Sequence, residues 1–216
     1  MRDMKPITLS CLLIGVFTLS GKAAEIRSAF TASLEGWTAA DTVGGTPTHV
    51  AAGGNPGGYV FLDNAENLWT YVVAPAAFLG DLSGFDGGTL SFDGDQLTGN
   101  GLYESTNFNY GNVYLIGPTV TTVLDLAQGP VPVGPWVTYS ASLDAATWGA
   151  TPADWATLLS NVTEIRVYLE GTFGSETNGF DNFVIESAVN TVPEPTSFAL
   201  IAAGIGVALA RRYRAG

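Results

Sequence analysis

Between residues 25 and 190, apolar side chains come in short runs broken about every ten residues by Gly, Pro, Asn or Asp. Runs of that length and spacing predict an all-β sandwich or barrel. The predicted strands are EIRSAF (25–30), GYVFL (58–62), LWTYVVA (68–74), GGTLSFDG (87–94), VYLIG (113–117), TVTTVLDL (119–126), WVTYSASL (136–143), EIRVYLE (164–170) and FDNFVIES (180–187). In EIRVYLE, Ile165, Val167 and Leu169 fall on one face, and Glu164, Arg166, Tyr168 and Glu170 on the other. One stretch has a different period. In TPADWATLLSNV (151–162), Thr151 suits an N-cap, Pro152 suits the first helical turn, and Trp155, Leu158 and Leu159 share a helical face. It predicts a single short helix over an edge or end of the sandwich.

The two ends read differently. Arg2 and Lys5 precede an apolar run at 7–20, and the small residues Gly21, Ala23 and Ala24 follow. That order predicts a secretory signal peptide cut after Ala23 or Ala24. At the other end, Val192-Pro193-Glu194-Pro195 leads into the apolar stretch 196–210, then Arg211, Arg212 and Arg214. The prolines keep the linker extended and exposed. Fifteen apolar residues in a helix span roughly 22 Å, short of a ~30 Å hydrocarbon core, a gap that arginine snorkelling and local thinning can cover. The arginines favour a cytoplasmic C-terminus. The chain thus divides into a signal peptide (1–24), one β domain (25–188), a linker with the Pro-Glu-Pro box (189–195), and a transmembrane helix with a basic tail (196–216).

Charge and chemistry narrow the function. From Glu25 to Glu186 there are eighteen acidic residues against only Arg27 and Arg166, and no lysine. Such a domain repels nucleic acid and attracts cations, Ca²⁺ above all. Cys11, the single cysteine, lies in the signal peptide, so the exported domain has neither disulfides nor thiol chemistry. His49 is the sole histidine and reads as a surface or loop residue; with it alone, zinc catalysis and hydrolytic triads lack their parts. GGNPGG (53–58) lacks the lysine and the strand-to-helix setting of a phosphate loop. FDGDQLTGN (92–100) has Asp93 and Asp95 but not the remainder of a calcium loop, and reads as a polar hairpin. Paired carboxylates leave one catalytic alternative, glycoside hydrolysis, but the primary expectation is a non-enzyme. For sugar binding, aromatic platforms set among amides are the relevant signal. NGLYESTNFNYGN (100–112) offers Tyr103, Phe108 and Tyr110, with Trp136 and Trp148 as further candidates; the same rings also suit a core.

Three stretches carry a family resemblance: EGWT (35–38), TYVVAPAAFLGDLSGFDGGTLSFDGD (70–95), and the segment from WVTYSASLDAATW through TPADWATLLSNVTEIRVYLEG to GFDNFVIES (136–187). In this order they resemble laminin B (domain IV) modules. The resemblance implies a galactose-binding-like jelly-roll β-sandwich and a structural Ca²⁺ at Asp181 beside the closing strand. A strand-start aspartate bonded to its own backbone is the other reading of Asp181.

The C-terminal arrangement of VPEP box, apolar helix and arginines resembles the PEP-CTERM sorting tail of Gram-negative bacteria. That resemblance implies an exosortase as processing partner, transient inner-membrane association, delivery to the cell surface or matrix, and a link to exopolysaccharide and biofilm. A permanent membrane anchor is the alternative for the tail.

Overall fold

The computed structural model describes residues 23–40, 46–64, 69–99, 109–129, 131–172 and 174–188. They form one compact unit, Ala23–Ala188. The predicted signal peptide, the Pro-Glu-Pro linker and the apolar tail lie outside the described residues. Among the described residues, no helix is long and apolar enough to cross a membrane.

Among the described residues, eleven strands build two sheets: β1 (Glu25–Ser28), β2 (Thr38–Ala40), β3 (Thr48–Gly54), β4 (Gly57–Asn64), β5 (Tyr71–Val73), β6 (Thr89–Thr98), β7 (Asn112–Ile116), β8 (Thr121–Asp125), β9 (Val137–Ser142), β10 (Glu164–Tyr168) and β11 (Glu176–Glu186). The first sheet runs β3-β4-β11-β6-β9, and the second runs β2-β5-β10-β7-β8. β1 joins β11 beyond the start of β4, so the long closing strand has β4 beside its first half and β1 beside its second. All pairings between named strands are antiparallel. The predicted all-β sandwich with one short helix is therefore the observed architecture.

Alternation places the core. Val60, Leu62, Leu90, Phe92, Phe180 and Ile185 from the first sheet meet Val72, Val113, Leu115, Ile165 and Val167 from the second, all at most 1 % exposed. Burying one such side chain contributes about 1.5–3 kcal/mol. Around Trp37 the rings of Phe30, Phe78, Phe180 and Phe183 lie 4.9–6.1 Å away, centroid to centroid, and the indole N–H donates to Ser28 Oγ at 2.9 Å. The helix, α1 (Pro152–Ser160), starts where Thr151 caps it by accepting from the Asp154 N–H at 3.2 Å. Its Trp155, Leu158 and Leu159 are buried, and Trp155 Nε1 donates to Asp86 Oδ1 at 2.8 Å.

The sequence reading departs from the structure at four places. β2 and β3 have no predicted counterpart; their residues are small and carry no strong apolar alternation. His49 stands in β3 with its Nε2 bonded to the Phe30 carbonyl at 2.7 Å, not in a loop. FDGDQLTGN is not a hairpin, because β6 runs straight through it to Thr98 as a central strand. There Asp93 and Asp95 are only 5 % and 3 % exposed. Finally, β10 ends at Tyr168, and the Glu170 side chain leaves the face of Arg166 and Tyr168 to bond Asn64.

Candidate functional site

On β10 the residues that alternate with the core-facing Ile165 and Val167 are Glu164, Arg166 and Tyr168. Antiparallel register sets Tyr168 across from Tyr71 of β5, and Arg166 between Val73 of β5 and Tyr114 of β7. The result is one aromatic row on the outward face of the second sheet. Tyr71 and Tyr168 stack at 4.7 Å with 26° between planes, and Tyr114 lies 5.1 Å from Tyr168. Tyr71 and Tyr168 are 5 % and 6 % exposed yet stand outside the hydrophobic core cluster. Arg166 sits over the Tyr71 ring, 5.0 Å from its centroid, and its Nε donates to Glu164 Oε1.

Two exposed apolar side chains flank this row. Trp69, 55 % exposed, lies two residues before the first residue of β5, and Val123, 45 % exposed, pairs with Tyr114 from β8. The hydrogen bond to Glu164 raises the Arg166 pKa further, so the guanidinium stays charged at any accessible pH. Burial raises the Tyr168 hydroxyl and keeps it a neutral donor and acceptor. Chemically, the open part of the face offers the half-buried Tyr114 ring and a planar cation, Arg166, beside the Glu164 carboxylate, while the Tyr71 and Tyr168 rings are covered. It carries no group placed as a nucleophile.

Among the described residues predicted for sugar binding, none belongs to this row. Tyr103 and Phe108 lie outside the described residues. Tyr110 is a correction: it is 0 % exposed and packs 6.0 Å from Tyr139 in the core, so it presents no ring to a ligand. Trp148, 3 % exposed, packs on Trp155 and is likewise interior. Trp136 is half-buried on the outward face of the first sheet, where it meets Tyr59 edge-on and donates to the Gly53 carbonyl at 2.9 Å. The signal that would have found Arg166 and Tyr168 was present, since they alternate on one predicted face. Their meeting with Tyr71 and Tyr114 depends on a strand order that no local pattern encodes.

Asp181 lies where β11 bulges, at the junction between the start of β4 and the end of β1. Asn182 there takes a positive φ of 48°. Asp181 Oδ2 accepts from the Asn55 N–H and Oδ1 from the Asn182 N–H, each at 2.7 Å. The neighbouring Asp93 accepts from Thr138 at 2.6 Å and from Asn182 Nδ2 at 2.8 Å. Arg27 donates to Asn182 Oδ1 at 2.8 Å. Burial raises the Asp181 pKa, and the two backbone donors counter it. The two backbone donors match the reading of Asp181 as an aspartate bonded to nearby backbone, while the Asp93 carboxylate beside it is an oxygen of the kind that Ca²⁺ takes.

A recess of about 340 Å³ between β8 and β9 is lined by Leu124, Leu126, Ala141 and Asp125 among others. It has no aromatic wall, and Asp125 there already accepts from the Ala127 and Gln128 N–H groups.

Beyond the folded unit, residues 191–215 match the PEP-CTERM protein-sorting motif. The chain carries a PEP-CTERM tail. Its presence implies an exported protein, sorted to the cell envelope or surface, with an exosortase as the processing enzyme. No curated protein matches the chain. Among solved structures, the family 11 carbohydrate-binding module of the cellulase Lic26A-Cel5E of Clostridium thermocellum is similar in fold. It has a TM-score of 0.50 and 13% identity, with 78% of this chain and 97% of that one covered. The chain is also similar to the L4b domain of human laminin alpha-2 (TM-score 0.45, 15% identity, 59% and 80% covered). A third likeness is to a xylan-binding domain of carbohydrate-binding family 22 (TM-score 0.47, 14% identity, 77% and 96% covered).

Proposed function

We propose that the β domain is a non-catalytic glycan-binding module, carried to the cell surface or matrix by its PEP-CTERM tail and held there on exopolysaccharide. The observation that carries this reading is the outward row Tyr71–Tyr168–Tyr114 with Arg166 over its end. Of this row Tyr114 and Arg166 are half-buried and open to a ligand, while Tyr71 and Tyr168, 5 % and 6 % exposed, are covered and hold them in place. The fold likeness to a carbohydrate-binding module is consistent with this reading but speaks only for the architecture. Biofilm association follows from the tail's family, as part of the same proposal.

Binding of soluble polysaccharides by affinity electrophoresis or calorimetry tests it. Saturable binding is expected in the wild type, lost in Trp69→Ala and Tyr114→Ala and retained in Trp136→Ala. Release of shortened sugars would favour the hydrolase alternative. Absence of binding across neutral, acidic and amino-sugar polymers would leave a purely structural domain.

A further inference from the structure

Where β4, β11 and β6 run side by side, one end of the inward face turns polar. Asn64 stands across from Glu176, and Asn178 across from Gln96, and all four are at most 2 % exposed. Glu170, 3 % exposed just past β10, reaches the same group and accepts from Asn64 Nδ2 at 2.6 Å. Glu176 accepts from Gln96 Nε2 at 2.7 Å and from the Gly171 N–H at 3.0 Å. Gly171 and Gly99 close on the Gln96 amide: a Cβ on either would come within 3.1 Å of it.

Two features of this cluster call for a ligand. The first is charge. Two carboxyls are buried together within hydrogen-bonding reach of each other, with no cation among the described residues beside them. Arg27 bonds Asn182, Arg166 bonds Glu164, and His49 bonds a carbonyl, all elsewhere. Buried carboxylates in this state are costly unless paired or metal-bound. The second is hydrogen bonding. Gln96 Oε1 and Asn178 Oδ1 are buried without a partner, while the Asn178 amide nitrogen faces Glu176. The Gln96 amide cannot simply be turned round, because its Nε2 is fixed as the donor to Glu176. Buried polar atoms are rarely left unmatched, and several in one place mark an unfilled need for a partner. Acceptors are in excess here, and a hard cation is the partner that satisfies an excess of oxygen acceptors.

We propose that Glu170 and Glu176, completed by the side-chain oxygens of Gln96 and Asn178, form a buried Ca²⁺ site, distinct from Asp181. Two carboxylates neutralise one divalent ion. The donor set is all oxygen, with no nitrogen or sulfur ligand, which selects against zinc and copper. Among the described residues no three His, Cys, Asp or Glu side chains converge, so amide oxygens complete the shell, as calcium tolerates and magnesium accepts less readily. The ion would tie the start of the 169–175 connection to the first sheet, at the point where the chain crosses from one sheet to the other. The site stands independently of the glycan reading.

The test uses the full chain in mild detergent, stripped with EDTA and desalted. Metal analysis after CaCl₂ addition and calorimetry read the stoichiometry; thermal melting reads the stabilisation, which grows with free Ca²⁺ by mass action. About one Ca²⁺ per chain is expected, bound by wild type and Asp181→Asn but not by Glu176→Gln or Glu170→Gln. Asn178→Leu keeps both carboxyls and guards against a glutamate variant that does not fold; it should weaken uptake by roughly tenfold or more. No stoichiometric uptake by wild type overturns the proposal. So does uptake lost in Asp181→Asn and kept in Glu176→Gln, or unchanged in Asn178→Leu.

Discussion

The guanidinium of Arg166 lies over the ring of Tyr71, 5.0 Å from its centroid, while the same side chain is bonded to Glu164. Both interactions are half-open to water, since the Arg166 and Glu164 side chains are each 31% exposed. A screened surface pair contributes about 0–1 kcal/mol, and an exposed cation–π contact about 0.5–1 kcal/mol. Arg166→Ala is therefore expected to lower the unfolding free energy by only ~1 kcal/mol in urea denaturation. Its effect on polysaccharide affinity should be larger, roughly tenfold, because the cation is a recognition group on the tyrosine face. A variant that loses much stability and no affinity would make Arg166 a structural residue and remove it from the site.

Gly179 has a different role, on the outward face of the other sheet. A Cβ there would sit 2.7 Å from the Trp136 ring and 3.4 Å from Tyr59. The indole cannot move away freely, because its N–H is tied to the Gly53 carbonyl at 2.9 Å. Gly179→Ala is expected to cost about 1–3 kcal/mol, the usual range for forced overpacking. Trp136→Ala in the same background should relieve most of that cost. Denaturation of the single and double variants checks it; equal stability of wild type and Gly179→Ala would contradict the packing.

These two faces also show what was legible from the sequence. The alternation of Ile165, Val167 and Leu169 with Arg166 and Tyr168 marked β10 and both of its sides, and Thr151-Pro152 marked the start of α1, because each signal is local. β6 was cut short because Asp93, Asp95 and Gln96 look like turn residues. Their acceptance in a central strand rests on partners far along the chain: Thr138 and Asn182 for Asp93, and Glu176 for Gln96. Tyr110 looked like part of an exposed aromatic loop, yet it closes the core against Tyr139. The stacking of Tyr71 on Tyr168 follows from β5 lying beside β10, a pairing set by the order of strands in the sheet rather than by either segment.

The buried carboxyl pair gives the chelated protein a distinctive dependence on pH. Burial first, and then the charge of Glu176, pushes Glu170 up to about 8, while burial pushes Glu176 up to about 7 against its donors. In the unfolded chain a glutamate titrates near ~4.3. Between about pH 4.3 and 8 the folded state holds the extra proton, so stability is full below that window and falls as pH rises through it. In EDTA, the unfolding free energy from urea denaturation should drop from about pH 5 to about pH 8, by an amount on the order of a few kcal/mol, and the urea midpoint with it. Glu176→Gln should flatten this slope. A midpoint that rises over the same range would mean that the pair is ionised in the folded protein without a counter-ion.

The tail makes the most direct prediction about location. In Val192-Pro193-Glu194-Pro195 the prolines fix an extended backbone that donates no hydrogen bonds at 193 and 195, so a membrane enzyme can grip it in one conformation. Glu194 is the single charge in the box. If an exosortase reads these features, intact-mass analysis in the native host should show a mature form lacking the residues beyond about Pro195, recovered outside the inner membrane. Pro193→Ala with Glu194→Ala should instead keep RRYRAG attached and hold the protein in the inner membrane, with the β domain still folded and still binding whatever polysaccharide the wild type binds. A wild-type protein that retains its three C-terminal arginines would make the apolar stretch a permanent anchor, and would place the tyrosine face in the periplasm.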